Sequence, residues 1–291
     1  TFSNNTVTGG YYGVRHSGGS TTAPIHGNTY TDNTFKRQYY YGFYSYYEDS
    51  LTFLDNSIDD QRNTYNFGLM LYFSSNFNVQ RNYVKCAYYS ALYYANYYNY
   101  NNTQRSTFAN NTLISTGTSY TLYGYRMSQT NFNHNSLYGK GSYMCYWYYI
   151  ANNDIRNNIF YYEGSTYVLY MYNPTFVEWD YNDYYFTGGN LAYITGSVYA
   201  NASALKGYSA SYNQNNWELD PEWVQKDDDH HITTNFPNMF GPYVGVDVDI
   251  DKDDRCKLIA TLGPDELTQS ALPPTANFLV PDTAWLGAPT V

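Results

Sequence analysis

Tyr143–Tyr148 (YMCYWY) and Ile155–Phe160 (IRNNIF) are the two short segments that decide the fold. From Cys145 to Tyr148, tyrosines alternate with other apolar residues, which is typical of a β-strand with two different faces. In the second, Asn158 stands between two apolar residues in the pattern apolar-x-x-Asn-x-apolar. Both patterns recur along the chain, and recurrence at a near-constant period indicates a repeat architecture.

The asparagine pattern sets the period of the repeat. Its Asn-to-Asn intervals are 28, 23, 26, 29, 24, 23 and 24 residues. In five copies an alternating strand pattern begins 14 residues before the Asn, directly after an aromatic residue. Short strands at this spacing predict an all-β parallel β-helix, a solenoid of about eight or more coils over 1–215. The repeated Asn lies at Asn5, Asn33, Asn56, Asn82, Asn111, Asn135, Asn158 and Asn182.

We interpret these asparagines as structural corner residues and not as ligands. Asn tolerates the left-handed backbone conformation of a sharp corner, and its amide can bond nearby backbone. Identical amides that stack in register also bond each other along the axis of the stack. The corner set that we predict is Asn33, Asn56, Asn82, Asn111, Asn135, Asn158 and Asn182.

The strand that opens each repeat has a face made of tyrosines. Side chains alternate in and out of the coil, and the register that places the apolar set inside puts tyrosine at nine of ten outward positions. Three interpretations stay open: a joint for self-assembly, a polysaccharide-binding surface, or aromatic pairs that only stabilise the coil. The tyrosine face that we predict consists of Tyr44, Tyr46, Tyr72, Tyr123, Tyr125, Tyr146, Tyr148, Tyr170 and Tyr172.

The charge is unevenly distributed. Residues 1–190 hold 10 Lys+Arg and 11 Asp+Glu, whereas 191–291 hold 5 and 14, and the whole chain has a net charge of −10. This acidic balance argues against nucleic acid as a partner. The sequence contains no run of 18 apolar residues, so it predicts no membrane-spanning helix. Three cysteines without metal-ligand spacing make no disulfide framework.

The C-terminal part carries a resemblance to a known family. The passages LDPEWV (219–224), DDHH (228–231), VDVDIDKDDR (246–255) and LGPDE (262–266) resemble the ending of right-handed parallel β-helix repeat proteins of the secreted or cell-surface Bacteroidota type. Lys252 and Pro264 stand where that family has Gly and Ala. The resemblance implies a right-handed helix over 1–215, a closing segment with an acidic loop over 216–268, and an extracellular or cell-surface location.

Two further features are similar to known motifs. TANF (275–278) and PDT (281–283) resemble the first strand of a polycystic-kidney-disease-type Ig-like domain, so we assign 269–291 to a linker and that strand. The tripeptides that contain Ser50 and Thr283 resemble the Asp-Ser/Thr-aliphatic sites at which Bacteroidota attach O-glycans.

The acidic residues bear on metal binding and on catalysis. Alternating Asp247, Asp249, Asp251 and Asp253 offer hard oxygen ligands that suit Ca²⁺, but a solvated acidic loop is an open alternative. The acids of 1–190 are scattered, so we predict no enzyme. This interpretation expects no groove lined by Asp and by Lys or Arg beside the coils.

The function predicted from sequence is that of an extracellular structural or adhesive rod without a cofactor. Its tyrosine face would contact copies of itself or neighbouring domains of a larger surface protein, with glycans as a further class of partner. The alternative is a polysaccharide-binding or polysaccharide-degrading β-helix protein.

Overall fold

Three parallel β-sheets form the walls of a solenoid, and each successive coil adds strands to them. The computed structural model describes residues 1–60, 66–96 and 104–267. The predicted all-β parallel β-helix is confirmed, because strands distant in sequence pair in parallel from one coil to the next.

The sheets have eight, eight and nine strands. The first sheet contains Phe2–Ser3, Thr29–Thr31, Thr52–Leu54, Asn78–Gln80, Ser106–Ala109, Thr130–Asn133, Asn153–Arg156 and Phe176–Asp180. The second contains Thr6–Thr8, Thr34–Lys36, Ser57–Asp60, Tyr83–Cys86, Thr112–Ser115, Ser136–Gly139, Ile159–Tyr162 and Asp183–Phe186. The third contains Tyr12–Ser17, Tyr41–Tyr46, Phe67–Tyr72, Ser90–Ala95, Tyr120–Tyr125, Tyr143–Tyr148, Tyr167–Tyr172, Asn190–Ile194 and, antiparallel at its end, Ser197–Tyr199.

The core is a set of columns in which like residues lie over like. Phe108 pairs with Phe132 in the first sheet, and their rings stack at 5.3 Å with an angle of 4° between planes. In the third sheet, Leu122, Cys145 and Leu169 follow one another and are fully buried. Burying an aliphatic side chain of this size contributes about 1.5–3 kcal/mol, so every coil adds to one continuous core.

A ladder of asparagine side chains runs along the corner between the first and second sheets. The backbone N–H and the Nδ2 of Asn135 donate to Oδ1 of Asn158 at 2.9 and 3.0 Å, and Asn158 donates in the same way to Asn182. The ladder continues past the predicted set, because the N–H of Asn182 donates to Oδ1 of Asn216 at 2.9 Å.

The backbone of this corner differs from the prediction in one respect. The left-handed conformation belongs to the residue before each ladder Asn from Asn5 to Asn182, as at His134 (φ 56°) and Asn157 (φ 60°). The ladder asparagines do not have a positive φ. The preceding residue makes the turn, and the Asn that follows it is then free to aim its amide along the axis.

The rule that a strand begins 14 residues before each ladder Asn did not find three strands of the third sheet. These strands are Tyr12–Ser17, Ser90–Ala95 and Asn190–Ile194. More residues separate these strands from the next ladder Asn than in the other coils, so counting back 14 residues misses them. The pairing of Leu92 with Leu69 and Leu122 nevertheless keeps the same register.

One end of the solenoid is capped. Ser197–Tyr199 turns back on Asn190–Ile194, and a short helix, Ala202–Leu205, follows it with Asn201 as its N-cap. Buried Leu205 joins the core of the coils, and the ring of Tyr208 packs edge-on against Trp179. These contacts cover apolar surface that an open coil end would expose.

Residues 218–267, which we call the strap, run back along the outer face of the second sheet. Their short strands are Trp223–Gln225, Asp229–Ile232, Phe240–Pro242 and Ile259–Thr261. A second apolar cluster joins strap and sheet, with Trp223, Met239 and Leu262 against Tyr138 and Ile159. The predicted linker and Ig-like strand over 269–291 lie outside the described residues.

Candidate functional site

The tyrosine face lies on the outer surface of the third sheet. All nine predicted tyrosines are half-buried, and the inward neighbours of the same strands, such as Phe43 and Trp147, are fully buried. The strand register sets Tyr146 over Tyr123 and under Tyr170, and likewise Tyr148 under Tyr172. The alternation of the strand therefore places these side chains in columns parallel to the solenoid axis.

The structure shows three columns where the sequence prediction had two. The sequence showed the first column only as an aromatic that precedes each strand pattern. Strict alternation would turn it inward, because Tyr143 lies three residues before Tyr146. In the structure Met144 and Cys145 are both buried, and Tyr143 is half-buried and stacks on Tyr167. The first column contains Tyr12, Tyr41, Phe67, Tyr120, Tyr143 and Tyr167, the second Tyr44, Tyr93, Tyr123, Tyr146, Tyr170 and Tyr193, and the third Tyr46, Tyr72, Tyr125, Tyr148 and Tyr172.

Within a column the rings stack on each other. The centroids of Tyr146 and Tyr170 are 4.9 Å apart and their planes differ by 2°, and Tyr170 and Tyr193 lie at 4.7 Å and 10°. Parallel rings this close must overlap, because side-by-side rings at that distance would clash. The ring faces are therefore largely covered by column neighbours, and the exposed part of each side chain is its edge and its hydroxyl.

The hydroxyls of the face interact with one another. Tyr46 donates to the hydroxyl of Tyr47 at 3.1 Å, and this hydrogen bond, together with burial, raises the pKa of Tyr46. Burial and the Tyr148 hydroxyl raise the pKa of Tyr146. Tyr46 and Tyr146 are therefore neutral phenols, and a phenol hydroxyl both donates and accepts hydrogen bonds.

Two positions of the second column are not tyrosine. In the second column, Arg15 takes the tyrosine position of the first coil, and its guanidinium lies 5.4 Å from the ring centroid of Tyr12 and 5.8 Å from that of Tyr44. Met70 interrupts the same column and is 8% exposed. The uninterrupted part of the second column therefore runs from Tyr93 to Tyr193.

A cleft of about 440 Å³ lies between the second sheet and the strap, and sequence reasoning did not find it. In the sequence, the feature that marks this cleft is the pair of acids followed by two histidines at 228–231. Only the fold shows that these residues lie beside the coils. The sheet supplies Ser57, Asp59, Tyr83 and Thr112, and the strap supplies Asp228, Asp229, His230, His231, Ile250 and Pro264.

Hydrogen bonds hold the two walls of the cleft together. Tyr83 Oη and Lys85 Nζ donate to the same Oδ1 of Asp228, at 2.7 and 2.9 Å. In the strap strand Asp229–Ile232, His230 is buried, stacks on Trp223 at 3.8 Å, and shares a 2.7 Å hydrogen bond with Ser136 Oγ. Lys85 bonds Asp228, but the described residues that line the cleft include no Lys or Arg, so the expectation that no groove with converging Asp and Lys or Arg lies beside the coils stays a prediction.

The acids of the strap wall are held in their ionised form. The hydrogen bonds from Lys85 and Tyr83 lower the pKa of Asp228. Burial disfavours the ionised form of Asp229, but hydrogen bonds from His231 outweigh it and lower the pKa. Neither carboxyl keeps a proton near neutral pH, so neither suits the part of a general acid; both suit accepting hydrogen bonds from a ligand.

The four aspartates of the acidic loop do not converge. Asp249 is buried, and its Oδ1 accepts from the N–H groups of Asp251 and Asp253, both at 2.9 Å. Its Oδ2 accepts from the N–H of Glu266 at 3.0 Å, and Asp247 pairs instead with Lys257. Within residues 1–60, 66–96 and 104–267, no three acids, histidines or cysteines are arranged to hold a metal ion.

Other predicted residues are located as follows. Ser50 is exposed, and its hydroxyl donates to Asp49 Oδ2 at 3.2 Å, whereas Thr283 lies outside the described residues. Cys86 and Cys145 are buried free thiols, and Cys256 is a half-buried one. None of the helices in the described part of the chain has the length and apolar content that crossing a membrane requires.

Comparison with known proteins agrees with this geometry. The family model described as a right handed beta helix region matches residues 1–160, more than half of the chain. Comparisons with curated proteins and with solved structures gave no match. The stacked parallel coils, the asparagine ladder and this match together show that the chain belongs to the right-handed β-helix family.

Proposed function

We propose that the protein is a non-catalytic, extracellular or cell-surface structural rod that associates with copies of itself through the tyrosine face. The observation that carries this proposal is the stacking of the rings, in which Tyr146 and Tyr170 lie 4.9 Å apart at 2°. Rings that already cover one another form a rigid surface, so little side-chain entropy is lost when that surface is buried.

The orientation of the rings favours a protein partner over a sugar on this face. Aromatic platforms for sugar rings need an exposed ring face, and here the column neighbours cover it. Exposed edges and hydroxyls instead form parallel ridges. Two such faces interdigitate ridge into groove, with phenol hydroxyls donating and accepting across the joint.

The size of the face sets the strength expected of the joint. Seven strand spacings and five residues along a strand give a face of roughly 34 by 17 Å. A joint between two such faces buries on the order of 1,000 Å², near the lower bound of specific interfaces. We therefore expect weak, concentration-dependent association that becomes firm only when many rods align side by side.

Sedimentation velocity over a concentration series tests the joint. The triple variant Tyr123→Ser, Tyr146→Ser, Tyr170→Ser should remain monomeric at concentrations where the unaltered protein associates. The matched control is Tyr181→Ser, Tyr185→Ser, since both residues are half-buried and lie away from the third sheet. Circular dichroism checks that each variant folds; if the triple variant does not, Tyr146→Lys places a charge on the face instead. Unaltered protein that stays monomeric at every concentration overturns the proposal.

The cleft under the strap supports a second candidate, the binding of a glycan. Its Asp228 and Asp229 carboxylates and its Ser57, Thr112 and Tyr83 hydroxyls offer acceptors and donors to sugar hydroxyls. The ionised acids disfavour an anionic sugar, so the expected ligand is a neutral oligosaccharide. Titration calorimetry should show neutral but not uronic-acid oligosaccharides binding, with loss in Asp229→Asn and no change in the control Asp254→Asn. Equal absence of heat for both sugar classes overturns this candidate.

A further inference from the structure

We propose that the tyrosine face is a site of oxidative cross-linking, at which tyrosines of two rods are joined covalently by a haem peroxidase that uses hydrogen peroxide. This inference rests on the proposed association, because it requires two faces in contact. It adds a modification, and a co-reactant of stated class, to a surface that otherwise holds only by weak contacts.

The exposed atoms of the face are those that phenol coupling uses. Tyr146, Tyr148 and Tyr170 point outward and are half-buried, with their ring faces against column neighbours. The part of each ring that is left to solvent is the outer edge, which carries the hydroxyl and the two Cε atoms beside it. A second rod that docks on the face meets these edges first.

Neighbours within one column are poorly placed to couple with each other. The bond of a dityrosine lies in the planes of both rings, whereas Tyr146 and Tyr170 lie one above the other with planes 2° apart. The pair Tyr148 and Tyr172 is similar, at 5.0 Å and 19°. Coupling along a column would have to break the stack, so the geometry disfavours coupling between column neighbours and leaves their outer edges to the tyrosines of another rod.

The reaction balances without any group from the protein other than its phenols. Each of two tyrosines loses one electron and one proton to the peroxidase, which gives two phenoxyl radicals. The radicals combine to form one Cε–Cε bond, and the two ring hydrogens move to the oxygens as the rings regain aromaticity. One hydrogen peroxide is reduced to two waters for each dityrosine formed.

An isotope-mixing experiment tests the inference. Equal amounts of ¹⁴N- and ¹⁵N-labelled full chain are treated with a haem peroxidase and hydrogen peroxide, and cross-linked peptides are identified by mass spectrometry. We expect mixed-isotope pairs between peptides that contain Tyr146, Tyr148, Tyr170 or Tyr172. Changing these four residues to Phe keeps the stacked rings and removes their phenols, so mixed pairs through these four positions should be lost, while other face tyrosines such as Tyr123 keep their phenols. The matched control Tyr181→Phe, Tyr185→Phe should keep them.

The outcomes separate this inference from the proposed function. Cross-links confined to single-isotope pairs, or mixed pairs that persist undiminished in the four-Phe variant, overturn the inference. Sedimentation of the untreated protein reports association independently. If the rods associate without oxidant but yield no mixed pairs at the face, the proposed association stands and the cross-linking is overturned. If the rods sediment as monomers but yield mixed pairs at the face, the coupling is supported and stable association is overturned.

Discussion

Asn110 and Arg255 are 145 residues apart, and yet Nη2 of the buried arginine donates to Oδ1 of the asparagine at 2.8 Å. The same guanidinium donates to Glu266 Oε2 at 2.7 Å and to the backbone carbonyls of Thr261, Gly263 and Pro264. Asn110 has a positive φ of 54° and lies at the corner before ladder residue Asn111. Arg255 therefore ties the strap to the corner of a coil.

We expect Arg255→Met to destabilise the protein by about 3–5 kcal/mol, because it leaves the buried carboxylate of Glu266 without its partner. The free energy of unfolding from urea titration measures this. The double variant Arg255→Met, Glu266→Gln removes both charges and should recover part of the loss. Equal stability of Arg255→Met and the unaltered protein would show that the strap does not depend on this contact.

The asparagine ladder should be most sensitive at its centre. Oδ1 of Asn135 accepts both the N–H and the Nδ2 of Asn111 at 3.0 Å. Asn135→Ala leaves the buried N–H of Asn111 without this partner, which costs about 1–3 kcal/mol. The Nδ2 of Asn111 keeps its bonds to the carbonyls of Val79 and Ala109. Asn5→Ala is the matched control, since Asn5 is half-buried and its side-chain oxygen accepts no bond among the described residues. Hydrogen exchange at the Asn111 amide, faster in Asn135→Ala only, is the expected readout. Equal effects of the two substitutions would argue against a cooperative ladder.

Gly124 makes room for an indole in the core. It pairs with Trp147, and a Cβ added at Gly124 would lie 2.6 Å from Trp147 Cδ1. Gly124→Ala should therefore cost about 1–3 kcal/mol by overpacking. Gly207→Ala is the control, because no atom lies within 4 Å of a Cβ built there. In a double-mutant cycle, Trp147→Leu should absorb most of the cost of Gly124→Ala. Simple additivity of the two substitutions would contradict the contact.

Acid should weaken the fold partly through His230. Burial lowers the pKa of His230 from its ordinary value of 6.5 to about 3. As the pH falls from about 6.5 towards 3, the unfolded chain binds a proton that the folded chain does not, so stability falls by at most about 1.4 kcal/mol per pH unit for this one group. The expected result for His230→Gln is a shallower loss of unfolding free energy between pH 6.5 and pH 4. An unchanged slope would contradict a neutral, buried His230.

His231 should behave in the opposite sense. Burial works against its charge, but Asp229 and Asp251 outweigh burial and raise its pKa. Its stabilising contribution is complete below the unfolded pKa near 6.5 and disappears as the pH rises through the folded pKa. His231→Gln should therefore lose stability at pH 5.5 and little at pH 9. A larger loss at pH 9 would show that the pairing with Asp229 and Asp251 is not electrostatic.

The sequence alone predicted the coils of the solenoid well, because the contacts that form them join residues only one repeat apart in sequence. In a solenoid each coil contacts mainly its neighbours, so the spacing from Asn135 to Asn158 directly fixes what lies over what. The alternation in Tyr143–Tyr148 likewise assigns Cys145 and Trp147 to the core and Tyr146 to the surface. The offset failed only where more residues separate the strand from the next ladder Asn, as before Asn111.

The sequence by itself determined the coils, the ladder and the tyrosine columns, because each of these follows from a short period and from the two faces of a strand. Only the tertiary structure decided how the rings of Tyr146 and Tyr170 overlap, where the strap docks, and that Asp228 meets Lys85 across a cleft. Contacts between residues 143 positions apart depend on how an aperiodic segment fits apolar surface that the coils have already formed, and no repeat in the sequence encodes that fit.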